Sequence, residues 1–209
     1  MIKLRKKATF QIYEAGSQIR GNQTNNEYFV ICRKDGESEL WGQINEMQSS
    51  DDLMIVIRHN EKEIIYNGLR SDMKRGVSVA NMVLNYTGKN SESVGELAIL
   101  KNENGKQTIR ITDTEDSKVF VQQLDDVDSL ELVFSDDGEF LDNSTPWYFR
   151  RFEDSVMAAK VEDEGDKGSN TYKEKYGVTL PADISDEMTA IIMTIPLVSS
   201  WNEFSAGLL

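Results

Sequence analysis

The chain has 209 residues, of which 39% are hydrophobic, a content that predicts a folded chain rather than a disordered one. Its 36 acidic and 23 basic residues give a net charge of -13, which disfavours nucleic acid and anionic membrane surfaces as long-range partners. The one cysteine, Cys32, excludes an intrachain disulfide and favours a reducing compartment. All-β proteins of this length are often one unit, so we expect a single domain over residues 1–209.

The first half of the chain predicts a succession of β-strands. Residues 9–13 alternate between polar and apolar side chains, residues 28–32 are continuously apolar, and residues 53–57 are rich in β-branched side chains. Asp35-Gly36 predicts a tight hairpin turn, because glycine readily adopts a positive φ. The basic N-terminus leads directly into the first strand without an apolar stretch, so no secretory signal is predicted.

The middle of the chain continues this pattern. Residues 63–66 predict another strand, which we expect to end in a turn at Asn67-Gly68. Residues 78–84 fit either a strand or a short helix. Four further strands are predicted at residues 94–100, 107–111, 118–122 and 129–134. The short spacing between strands leaves little room for long helices.

The C-terminal third predicts two more strands, a loop and one apolar helix. The strands are expected at residues 147–152 and 155–161, and the charged loop at residues 162–170. Ser185 or Asp186 is a suitable N-cap for a helix over residues 186–196, and this helix is apolar on nearly every side, which requires burial. The apolar run is shorter than the roughly 20 residues that a membrane span needs. Pro196 should end or kink the helix near Ile195.

This C-terminal order is similar to the end of the tubby C-terminal-like superfamily, which includes the LURP-one-related proteins and the phospholipid scramblases. The resemblance rests on the two strands, the acidic loop, the segment 171–181, the acidic step 182–186 and the apolar helix. It implies a mainly β fold, a closed or nearly closed antiparallel β-barrel around a hydrophobic C-terminal helix. A barrel wall would explain a helix that is apolar on all sides.

The resemblance also implies a way to bind lipids. Tubby proteins bind phosphoinositide headgroups through clustered lysines and arginines, which makes Lys74, Arg75, Arg150 and Arg151 the candidate anion-binding residues here. This acidic chain has no basic cluster at positions that match the family. It also lacks the cysteine-rich segment and the longer helix of the scramblases.

Aromatic residues beside two arginines suggest a protein interface instead. Trp147 and Phe149 stand next to Arg150 and Arg151, and both aromatic residues and arginine are enriched at protein interfaces. The alternative interpretation is a barrel strand with inward aromatic residues and outward arginines.

Catalytic and metal-binding motifs do not emerge from the sequence. His59 is the only histidine, which excludes multi-histidine metal sites, and we expect it to be a polar residue at the end of a strand. Acidic groups at residues 125–128, 136–137 and 162–166 fit solvated loops better than calcium sites, since none has the spacing of an EF-hand. A pair of carboxylates could perform acid and base catalysis, but the sequence does not indicate which pair would converge.

We therefore expect a non-enzymatic binding or adaptor module that uses no cofactor and no metal. The expected partner is another protein, bound through the barrel surface. Phosphoinositides or other anionic phospholipids are the alternative, whereas nucleic acid and a transmembrane segment are not expected. The expected location is the cytoplasm, including the periphery of a membrane or of a larger assembly.

Overall fold

The computed structural model describes residues 6–49, 52–69, 81–101, 107–123, 129–134, 147–151, 156–158 and 171–201. This part of the chain is mainly antiparallel β-sheet with one C-terminal helix. Its elements are β1 (Lys7–Arg20), β2 (Gln23–Lys34), β3 (Glu37–Gln48), β4 (Asp52–His59), β5 (Lys62–Leu69), β6 (Asn81–Gly88), β7 (Ser93–Lys101), β8 (Gln107–Asp113), β9 (Lys118–Gln123), β10 (Ser129–Phe134), β11 (Trp147–Arg151), β12 (Val156–Ala158), β13 (Thr171–Pro181) and α1 (Asp186–Trp201).

The strands belong to one sheet in which neighbours along the chain are neighbours in space. Each strand from β1 to β10 pairs with the strand that follows it, and β11 and β12 both pair with β13. In addition, β1 pairs with β13, with Phe10 opposite Val178 and a register shift after Ile12. The first and last strands of the described chain are therefore adjacent.

The turn after β2 was predicted correctly, and the turn near β5 was not. Asp35 and Gly36 have φ values of 53° and 89°, the positive pair that a type I′ hairpin turn requires. Asn67 and Gly68, predicted to form a turn, lie within β5, opposite Met54 and Leu53 of β4. The chain turns earlier, at Asn60, whose φ of 53° is one that asparagine tolerates better than most residues.

Other strand predictions are confirmed where the structure describes them. The ambiguous segment 78–84 is a strand from Asn81 onward. The predicted strand 155–161 is present at Val156–Ala158, and β11 covers the predicted strand 147–152 as far as Arg151. The remaining residues of these segments, the turn at 102–105 and the loop at 162–170 lie outside the described ranges.

The helix α1 is buried on every side, as its sequence predicted. Each residue from Met188 to Leu197 is buried, and the helix contacts β4, β7 and β8. Its two threonines satisfy their hydroxyl groups within the helix: Thr189 donates to the Ser185 carbonyl at 2.9 Å, and Thr194 to the Ile191 carbonyl at 2.7 Å. Complete burial of a polar side chain is tolerated when its hydrogen bonds are made.

Of the two outcomes predicted at Pro196, an end of the helix near Ile195 is wrong, because α1 passes through Pro196 and continues to Trp201. A kink at this residue stays a prediction. A proline removes one backbone donor, but the other helical hydrogen bonds remain. The flanking side chains Ile195 and Leu197 are buried in the core, which holds the turn around Pro196. Within the described residues, no helix has the length and apolar character needed to cross a membrane.

Candidate functional site

The residues predicted from sequence to bind a partner fall on β11 or outside the described chain. Lys74 and Arg75 lie outside it. The backbone of β11 runs between β10 and β13, with Phe149 opposite Leu130 and Val178. Trp147, Arg150 and Arg151 lie on the same strand. The four predicted residues of β11 therefore share one short strand next to the strand that precedes the helix.

A first polar group, the helix-start cluster, consists of Trp41, His59, Lys62, Asp186 and Glu187. His59 is the last residue of β4, as expected, and its ring stacks on Trp41 with centroids 4.2 Å apart. Its Nδ1 donates a hydrogen bond to the carbonyl oxygen of Trp41. Its Nε2 lies 3.4 Å from Oδ2 of Asp186 in the first turn of α1. Both ring nitrogens therefore have partners.

An ion pair completes the helix-start cluster. Nζ of Lys62 lies 2.8 Å from Oε1 of Glu187. The hydrogen bond from Lys62 lowers the pKa of Glu187, and the same bond raises the pKa of Lys62. Negative side chains at the start of a helix are also favoured by its dipole. The cluster thus attaches the start of α1 to strands β3, β4 and β5.

Ser185, His59 and two aspartates lie near the start of α1, but they do not form a catalytic triad. Oγ of Ser185 donates to Asp113 and accepts a hydrogen bond from the backbone nitrogen of Met188 at 3.1 Å. A nucleophilic serine needs its proton directed at the histidine, and a triad histidine needs its Nδ1 directed at a carboxylate. Here Nδ1 of His59 binds the Trp41 carbonyl. The arrangement positions the helix rather than activating a hydroxyl group.

A second polar group, the inner polar cluster, consists of Asn26, Tyr28 and Glu46. Glu46 on β3 is only 3% exposed and lies opposite Asn26 of β2 and Ile55 of β4. Its Oε2 accepts two hydrogen bonds, from Nδ2 of Asn26 and from the hydroxyl group of Tyr28, both at 2.9 Å. A carboxyl oxygen has two lone pairs, so Oε2 can accept both hydrogen bonds.

The inner polar cluster continues toward the surface. Exposed Ser17 on β1 donates to Oδ1 of Asn26 at 2.7 Å. Glu14 lies opposite Tyr28 and forms an ion pair of 2.9 Å with Lys175. Burial and the charge of Glu46 raise the pKa of Tyr28, so its phenol stays protonated and remains a donor.

Sequence reasoning missed the inner polar cluster, although a signal for it exists. Ile44 and Glu46 are two residues apart on one strand, so they share a face, and Ile44 belongs to the core. An acidic residue in phase with a buried isoleucine is the informative feature. Its partners Asn26 and Tyr28 are in phase with each other in the same way on β2.

The end of the β1–β2 hairpin that contains the turn extends past the core. The last core residue of β1 is Ile12, and the first of β2 is Tyr28. Residues 15–26, named here the tip hairpin, are all exposed or half-buried, and they remain paired as far as Arg20 and Gln23 around a turn at Gly21. Ile19 is 76% exposed. Residues 24–26 also pair with residues 46–48 of β3, so the tip hairpin extends one edge of the sheet past the core.

Cysteine and carboxylate chemistry gives no further site in the described chain. Cys32 is buried, and burial raises the pKa of its thiol, which lowers its reactivity and agrees with a packing role. Among the described residues, no group of three histidines, cysteines or carboxylates is arranged to hold a metal ion. The acidic segments 125–128, 136–137 and 162–166 lie outside those residues.

Neither a protein-family model, nor a curated protein, nor a solved structure matches this chain. The resemblance to the tubby C-terminal-like superfamily therefore stays a prediction, supported only by the order of elements.

Proposed function

We propose that this chain is a non-enzymatic binding module that engages a protein partner through the tip hairpin. One observation carries the proposal: the hairpin projects beyond the core and presents Ile19 on a surface with little charge. Arg20 is the only charged residue among residues 15–26, in a chain that is 28% charged. The centres of protein interfaces are likewise depleted of charged residues.

The geometry of the hairpin favours binding energetically. Five register pairs, from Gly16 with Glu27 to Arg20 with Gln23, hold the two strands together beyond the core. A surface that is already ordered loses less conformational entropy on association than a flexible loop does. Ile19 can therefore act as an apolar anchor at low entropic cost.

We also propose that the sheet closes into an antiparallel β-barrel around α1, as the family resemblance implies. The pairing of β1 with β13, added to the pairing of successive strands, supports closure. Because the apolar helix occupies the interior in this arrangement, a binding function must use the outer surface or the ends of the barrel. The tip hairpin is at one such end.

Capture experiments with matched variants test the proposed function. Wild-type protein, Ile19→Asp and Leu40→Asp are immobilised, and the proteins that each retains from a cell lysate are quantified by mass spectrometry. Leu40 is the control, because it is the other large hydrophobic residue exposed in the described chain, at 48%. We expect a protein that wild type and Leu40→Asp retain and that Ile19→Asp loses by about tenfold or more. Equal capture by all three proteins would refute the hairpin as the docking surface.

Anionic phospholipid is the alternative partner, because Arg150 and Arg151 are consecutive on β11 and Lys74 and Arg75 are consecutive in the sequence. Flotation with phosphoinositide vesicles at rising salt separates the alternatives. Binding that fades as salt increases supports lipid binding, since salt screens charge attraction. An absence of flotation at low salt removes the lipid alternative.

A further inference from the structure

Glu46 is a buried carboxylate whose two hydrogen bonds within the described chain use only one of its oxygens. Both of its hydrogen bonds fall on Oε2, and Oε1 receives none from the described residues. No lysine, arginine or histidine of the described chain forms an ion pair with Glu46. A charge with little exposure to solvent is stabilised when a cation pairs with it, and no described residue supplies that cation to Glu46.

We propose that the inner polar cluster is a recognition site for a primary ammonium group, which binds Oε1 of Glu46. Asn26 and Tyr28 hold the carboxylate by its other oxygen, so Oε1 is fixed in position before a ligand arrives. The site needs no rearrangement of these two donors. This inference does not depend on a protein partner at the tip hairpin.

The donor set distinguishes an ammonium group from other cations. A guanidinium group prefers two free carboxylate oxygens for its paired hydrogen bonds, and Oε2 of Glu46 is already taken by two donors. A hard metal ion such as Ca²⁺ needs six to eight oxygen ligands. An ammonium group is a compact charge that a single oxygen can accept.

The surroundings favour a cation that enters from the solvent. Ser17 is exposed, Asn26 is half-buried and Glu46 is buried, so hydrogen-bonded polar groups lead from the surface to the carboxylate. Glu14 lies on β1, two strands away from Glu46, and its ion pair with Lys175 is the same ammonium-carboxylate chemistry. The net charge of -13 raises the local concentration of cations around the protein.

Titration with a small amine tests the site. Isotope-labelled protein is titrated with butylammonium chloride while the backbone amide signals of Asn26, Tyr28 and Glu46 are followed by NMR, and 1-butanol is the uncharged control. We expect saturable shifts with butylammonium alone. Glu46→Gln should weaken binding by about tenfold or more, because a charge-assisted hydrogen bond is lost. Glu96→Gln removes one charge from a partly exposed position and should leave the affinity unchanged.

A second measurement on the wild-type protein keeps the test decisive if Glu46→Gln does not fold. Bound butylammonium should give intermolecular nuclear Overhauser effects to the ring protons of Tyr28. Their absence at saturation would overturn the proposal, as would equal affinity in Glu46→Gln or shifts of equal size with 1-butanol. Ile19→Asp should retain butylammonium binding, so failure of the hairpin proposal is separable from failure of this one.

The ammonium group could belong to a free amine or to a lysine side chain of a protein. A blocked tripeptide with a central lysine, compared with the same peptide carrying acetyl-lysine, distinguishes the sources. Binding of the lysine peptide and of butylammonium indicates a protein side chain. Binding of butylammonium alone indicates a small amine. Both results support ammonium recognition. If neither the lysine peptide nor butylammonium binds, the proposal is refuted.

Discussion

The hydroxyl group of Ser185 donates a hydrogen bond to Asp113, which joins the start of α1 to the end of β8. Ser185 also accepts from the backbone nitrogen of Met188, so it is the N-cap of the helix. Asp113 is 4% exposed, and its other oxygen accepts from the backbone nitrogens of Glu115 and Ser117 at 2.9 and 3.0 Å. One buried carboxylate thus holds both the turn after β8 and the helix start.

We expect Asp113→Ala to destabilise the protein by about 2–4 kcal/mol, because it leaves three donors without their acceptor. Ser185→Ala should cost about 1 kcal/mol, the usual effect of losing an N-cap. The two effects should not add in Asp113→Ala/Ser185→Ala, since the residues share a bond. Urea unfolding measures all three, with exposed Glu115→Ala as the control. Additive effects would mean that the two side chains act independently.

A second prediction concerns Tyr86 and Thr194, whose oxygens are 2.9 Å apart in the core. The threonine hydroxyl donates to Ile191, so Tyr86 is the donor of the shared bond. Tyr86→Phe should lower the free energy of unfolding by about 1 kcal/mol. Thr194→Val should lower it by about 1–3 kcal/mol, because the buried hydroxyl group of Tyr86 then lacks its acceptor. The double variant should be more stable than Thr194→Val alone. If it is less stable, the hydrogen bond is not the source of the effect.

The elements that periodicity determines were predictable from the sequence. The strand sequences alternate between polar and apolar residues or form short apolar runs, and α1 is apolar on all sides. Both classes of element are therefore visible in the order of residues. The turn at Asn67-Gly68 and the helix end at Pro196 were wrong for a common reason. Both relied on local propensity, whereas pairing of β5 with β4 and burial of Leu197 decide these positions.

The candidate sites were harder to predict, because they depend on register between distant strands. The sequence offers Asn26, Tyr28 and Glu46 as ordinary strand residues. Their hydrogen bonds form only when Asn26 pairs with Glu46 in the β2–β3 ladder. Ser185 was one of two helix caps predicted from the local sequence, with Asp186 as the other, but its partner Asp113 is 72 residues away. Contacts of this kind cannot be derived from spacing alone.

Gly95 on β7 allows the helix to approach the sheet. A Cβ atom at this position would lie 2.5 Å from Cδ1 of Ile191 and 2.5 Å from the carbonyl oxygen of Thr112. We expect Gly95→Ala to cost about 1–3 kcal/mol through overpacking. Adding Ile191→Val removes the first contact but not the second, so the recovery should be partial.

Chemical denaturation measures this effect, and Gly16→Ala is the matched control. A Cβ atom at Gly16 meets no atom within 4 Å, so that variant should keep nearly wild-type stability. Wild-type stability of Gly95→Ala would indicate that the helix can move away from β7 without cost.

The ion pair between Lys62 and Glu187 predicts a dependence on pH. The pKa of Glu187 is lowered in the folded protein, so its contribution is present above the usual glutamate pKa of 4.5 and is lost as pH falls through the lowered value. Lys62→Met should therefore cost stability at pH 7 and much less at pH 3. The Lys62 side chain is 56% exposed, so solvent screening limits the cost to below about 1 kcal/mol. Lys34→Met, at an exposed position on β2, is the control for loss of one positive charge.

Burial of α1 gives the most severe prediction. Ile192 is fully buried in the helix, so Ile192→Asp would place a carboxylate in the core without a partner. Effects of this kind exceed about 4 kcal/mol and approach the total stability of a domain. We expect loss of the cooperative thermal transition in circular dichroism, whereas Ile19→Asp on the exposed tip hairpin should unfold like wild type. A wild-type transition for Ile192→Asp would mean that α1 is not enclosed by the sheet, which would also refute the proposed barrel.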